Sequence, residues 1–175
     1  MLNRVASQLN SQRALIIFSG VILIFAAAQI TIPIYPVPIT LQTLAVLLIA
    51  LTYSMQDGLS AVMIYLVAGS LGVPIFSNMS SGIGGATTGY MLGFIACIYA
   101  INKFKERFNI DSLLKIVLAC IIGNSLIFVC GIAWLSNLIG LKNSIIHGLI
   151  PFIIPGIVKS ALLGLLLKTI KFRVK

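Results

Sequence analysis

Apolar residues fill whole windows of this chain, instead of marking one helical stripe or alternating as in a half-buried strand. The windows lie near 14–32, 39–52, 58–71, 89–103, 113–138 and 151–167, and between them proline, glycine, serine and charge collect. A straight bilayer-spanning helix needs about 20 apolar residues. The pattern therefore predicts six transmembrane helices in one all-α integral membrane domain over residues 1–175. Several windows are short, so their polar ends must be covered by neighbouring helices or must border water.

Composition narrows the choices. With 59% hydrophobic and 9% charged residues and a mean hydropathy of +1.13, the chain has too little polar surface to solvate a globule. A net charge of +9 would suit nucleic acid only if lysine and arginine formed a face on a soluble scaffold. They fall instead into three clusters: Arg4 and Arg13; Lys103, Lys105, Arg107 and Lys115; and Lys168, Lys171, Arg173 and Lys175. The expected partner is the lipid bilayer, not nucleic acid.

Six crossings put all three clusters on one side, with Lys142 on the other and Lys159 inside a span. By the positive-inside rule the clustered side, with both termini, is cytoplasmic. The three acids, Asp57, Glu106 and Asp111, map to that side as well. Arg4 and Arg13 ahead of an apolar run closing in Ala26, Ala27 and Ala28 imitate a secretory signal. Because the remainder is lipid-soluble, the run is expected to stay as the first span. Cys97, Cys120 and Cys130 show neither paired spacing nor a CxxC, which argues against disulfide and metal frameworks.

The outer surface should then be three connections, 31–38, 72–88 and 137–150. The first holds Pro33, Pro36 and Pro38, which fix φ and remove donors, giving a stiff lid. The second, rich in glycine, serine and asparagine, is long for a loop without structure of its own. Its Val73, Pro74, Ile75 and Phe76 argue against disorder.

Several chemistries are missing. No GxxxxGK phosphate loop occurs, and no span carries Asp, Glu or His for an ion relay. A membrane enzyme would have to draw on Ser80 or Ser81 with His147, the only histidine, but the spacing matches no nucleophile elbow. His147 is read as a solvated loop residue, and neither a metal nor a cofactor is expected.

One ionisable group is left in the membrane, Lys159, about 12 Å into the last helix. An isolated lysine at that depth costs about 3 kcal/mol, so it should have a partner. With no acid nearby in sequence, a bound anionic substrate is the natural one; snorkelling along a lipid-facing side is the alternative. Gln42, Thr43, Asn78, Tyr90, Asn124 and Ser125 are further polar candidates for a ligand. For Asn124 and Ser125, hydrogen bonding between helices is the preferred reading. Trp134 reads as an interfacial belt residue.

The stretch QITIPIYPVPITLQTL (29–44) resembles a signature of the BioY family, the biotin-binding S components of energy-coupling-factor transporters. YLVAGSLGVPIFSN (65–78), TTGYMLGF (87–94) and PFIIPGIVKSALL (151–163) are similar to later family blocks in the same order. The resemblance implies a six-helix fold in a bacterial cell membrane, with a biotin cavity open to the outside. It implies a transporter subunit and not an enzyme, docked on a membrane coupling subunit that bears two cytoplasmic ATPases.

Carried over residue by residue, the resemblance makes Lys159, Asn78 and Tyr90 ligand contacts and sets Gln42 and Thr43 near the lid. Two departures stand out: Ile157 follows the PG of the last helix, where the family usually has Asp, and GATTGY stands where a PTGGY form is usual. In the first helix, small residues every fourth position would face the coupling subunit; Gly20 and Ala28 fit, and Ile24 interrupts. An S component for another vitamin, or a membrane enzyme or assembly protein without cargo, are the rival readings.

Overall fold

The computed structural model describes residues 2–169, with side chains from residue 11 onward. In chain order the elements are α1 (Leu2–Gln29), β1 (Thr31–Ile32), β2 (Ile39–Thr40), α2 (Gln42–Thr52), α3 (Met55–Ser70), a single 3-10 turn (Ser77–Met79), α4 (Thr88–Arg107), α5 (Leu113–Ile139), α6 (Leu141–Gly148) and α7 (Ile150–Thr169). A long helix overlaps each apolar window.

The differences lie at the ends. α1 continues through the polar segment that precedes residue 14, because that segment holds neither proline nor glycine to stop it. It ends at Gln29, and Thr31–Ile32 then pairs antiparallel with Ile39–Thr40, Thr31 opposite Thr40. The proline-rich connection is thus the tip of a small hairpin. Residues 137–150 are not the open connection expected of them. Gly140, at φ 79°, closes α5 in a conformation that suits glycine, and α6 begins directly after it.

By length and apolarity Ser11–Gln29, Leu113–Ile139 and Ile150–Thr169 are able to cross a membrane; Gln42–Thr52 is apolar but shorter. Large apolar side chains point outward, Ile154 at 73% exposure and Phe18, Leu114 and Leu162 with it. Water would not tolerate so continuous an apolar surface, and lipid does. The chain is a multi-pass membrane protein.

α4 and α5 form the tightest pair. A Cβ placed on Gly93 would stand 2.7 Å from the Ile127 Cα, so the two backbones touch. In lipid, where apolar burial drives nothing, such close packing is what holds helices together.

Charge gathers at one end of the bundle. Arg13 pairs with Asp57 at 3.0 Å, and Ser54 caps α3 by accepting from the Asp57 N–H. Lys103 meets Glu106 at 2.7 Å, and Lys115 meets Asp111 at 2.9 Å. Side-chain pairing of Arg4, Lys171, Arg173 and Lys175 lies outside the described residues.

A small cavity beside a buried lysine

Lys159 is 9% exposed and faces the protein. Its Nζ donates to the Thr40 carbonyl at 2.6 Å and to Thr43 Oγ1 at 2.9 Å. It therefore does not snorkel, and among the described residues no carboxylate pairs with it. An ammonium carries three donors, of which these contacts use two. Both acceptors sit at the start of α2, where the helix dipole is positive and favours an anion over a cation. The lysine is poorly matched to its own protein surroundings there.

A small cavity of about 40 Å³ lies against it, bordered by Thr40, Thr43, Tyr90, Phe128, Phe152 and Lys159. The hairpin, α2, α4, α5 and α7 each supply part of the wall. Tyr90 is buried, donates from its hydroxyl to the Gly148 carbonyl at 2.8 Å, and stacks on Phe152 with ring centres 6.2 Å apart. Its phenol is committed to α6, leaving the ring for the cavity.

Gln42 also lines the cavity, with both ends of its amide in use. Oε1 accepts from Thr40 Oγ1 at 3.1 Å, and Nε2 donates to the Tyr65 hydroxyl at 2.8 Å, which donates in turn to the Ile75 carbonyl at 3.0 Å. A continuous chain of hydrogen bonds so runs from Lys159 through Thr40, Gln42 and Tyr65 to the loop after α3. Tyr65 was not singled out from the sequence; a hydroxyl in the middle of an apolar window was the available signal.

Four of the five sequence candidates, Lys159, Tyr90, Gln42 and Thr43, meet at this cavity. Asn78 does not. It is exposed in the 3-10 turn at φ 56°, outside the cavity wall. Gln29, another residue not singled out, secures that turn: Nε2 donates to the Phe76 carbonyl at 3.1 Å and Oε1 accepts from the Met79 N–H at 3.2 Å.

Asn124 bridges helices as expected, its Nδ2 donating to Ser160 Oγ at 3.1 Å. Ser125 donates instead to Ile121 of its own helix. Trp134 does more than sit at an interface, since its Nε1 donates to the Gly85 carbonyl at 3.1 Å and ties α5 to the long loop. His147 is exposed on α6, and Ser80 and Ser81 are exposed in the loop.

Ile157 is 61% exposed. It lies two residues, about 200° of helix rotation, from Lys159. A carboxylate there would point away from the cavity. The small-residue stripe of α1 also turns inward: Ile24 and Ala28 are fully buried, and a Cβ on Gly20 would meet Ala61 Cβ at 2.9 Å. It packs on this chain's own α2 and α3, while Leu15, Phe18 and Ile22 form the outward face of α1.

These features define a helical, multi-pass membrane protein with a small cation-bearing cavity between its helices. The model of the BioY family matches residues 3–175, and the chain belongs to that family. It is 37% identical to the probable biotin transporter BioY of Rickettsia prowazekii over 97% of this chain and 91% of that protein. The probable biotin transporter BioY of Pyrococcus horikoshii is 37% identical over 77% of this chain and 80% of its own length. The crystal structure of an S-component for biotin from an ECF-type ABC transporter shares the fold, with a TM-score of 0.75, 22% identity, and coverage of 98% of this chain and 94% of that one.

Proposed function

We propose that this chain is the biotin-capturing membrane subunit of an import system, a transport protein and not an enzyme. Membership of a family whose relatives are named biotin transporters supports the substrate. The observation that carries the mechanism is Lys159, a buried ammonium with a donor to spare at the positive end of α2. A carboxylate arriving there would meet both the charge and the dipole.

In this reading the chain crosses a bacterial cell membrane six times, with both termini cytoplasmic, as the basic end of the bundle supports. Lys159 and Thr43 hold the acid group of biotin, Tyr90 offers its ring, and Gln42 braces the hairpin above. Asn78 contributes only if the loop after α3 folds inward on the ligand. The present cavity is far below the roughly 300 Å³ of a typical small-molecule site, so binding opens it. Energy comes from a membrane coupling subunit and two ATPases, reached through a face other than the buried α1 stripe.

Calorimetry on the purified chain tests this directly. Biotin is expected to bind at 1:1 stoichiometry, and thiamine and riboflavin to give no heat; a chain that ignores biotin removes the proposal.

A further inference from the structure

Next to the cavity lies a cleft of about 230 Å³ between α5 and α7, bordered by Asn124, Phe128, Gly156, Ile157 and Ser160 and open on its outer side, where Ile157 is exposed. Phe128 lines both spaces and is the partition between them. Asn124 is 6% exposed, and its Oδ1 meets no donor in the protein. Its Nδ2 is answered by Ser160 Oγ, whose single proton goes to the Gly156 carbonyl at 2.8 Å. Turning the amide over moves the problem from an acceptor to a donor, so one pole of Asn124 stays unanswered either way. Buried polar groups seldom remain so without a reason.

Gly156 leaves the wall beside this amide bare. A Cβ there would stand 3.8 Å from the Phe128 ring and 4.0 Å from Asn124 Nδ2, in contact with both. Size makes the same point. The cavity at Lys159 has the charge but not the room, and the cleft has the room but no charge. With the Phe128 ring swung aside, the two together approach the lower end of vitamin-sized sites, roughly 300 Å³.

We infer that the ligand occupies both spaces, its acid group at Lys159 and an N–H donor at Asn124 Oδ1, past a displaced Phe128. This rests on the biotin reading, and biotin has the required pair of ends, a carboxylate and a ureido ring with two N–H groups. Asn124 is then the residue that selects for the ureido head, and Ile157, which borders the same cleft, gives it an apolar wall where a carboxylate would give an acceptor.

The test compares biotin with an analogue methylated on both ureido nitrogens, by calorimetry on the full chain in detergent. Wild type should bind biotin at least tenfold tighter than the analogue. Asn124→Leu should bind biotin at least tenfold more weakly and treat the two ligands within twofold of each other, whereas Asn124→Asp, which keeps acceptor oxygens, should still discriminate. Equal discrimination by wild type and Asn124→Leu overturns the inference. Should Asn124→Leu not fold, wild type alone decides, because an analogue bound as tightly as biotin overturns it too. Wild type that binds no biotin at all fails the proposed function first, and this inference falls with it.

Discussion

α2 is 11 residues long and meets a lysine at each end. Lys105 sits at its C-terminus, donating to the Ala50 carbonyl at 3.2 Å, the Tyr53 carbonyl at 2.9 Å and Asn102 Oδ1 at 3.2 Å. All three donors are used, and the dipole there welcomes a cation. Lys159 sits at the N-terminus with two acceptors and an adverse dipole. The same side chain, half-buried at one end of the helix and buried at the other, finishes a structure at the first and leaves one unfinished at the second. On the proposed reading, incomplete satisfaction, more than burial, marks the lysine that meets the ligand.

The sharpest way to break this contrast is to remove each lysine in turn. Lys105→Ala leaves two carbonyls and an amide oxygen unanswered and should cost about 2 kcal/mol of stability. Its effect on biotin affinity should stay within twofold, as read by thermal unfolding and calorimetry. Lys159→Ala should do the reverse, weakening biotin at least tenfold, about 1.4 kcal/mol, while the melting temperature of the unliganded protein holds or rises. If the two variants lose affinity alike, the distinction drawn between the ends of α2 is wrong. The smallest effect is expected from Ser136→Ala. Its hydroxyl donates to the Ala133 carbonyl of its own helix at 2.9 Å and borders neither space, so calorimetry should find biotin affinity changed by less than twofold.

Much of this was legible before any coordinates. The apolar windows place the long helices because a bilayer leaves few ways to bury a backbone, and the isolation of Lys159 from every acid was visible in the chain itself. What Lys159 touches was not, since Thr40 lies 119 residues away and no local pattern encodes that approach. The hairpin and α6 were read as plain connections because strands of two residues and a helix of eight fall below what periodicity resolves. The α1 stripe shows the same limit from the other side. Small residues every fourth position announce a close helix contact, but not whether the neighbour is another subunit or the chain's own α3.

The seam between α4 and α5, closed at Gly93 against the main chain of Ile127, has no slack to lend. On the proposed reading, the widening that admits a vitamin falls to the Phe128 ring and to the opposite wall, the hairpin and α7. On that reading the molecule would be a fixed jamb with one moving leaf, and the hinge should be sought where Pro155 deprives α7 of a backbone donor.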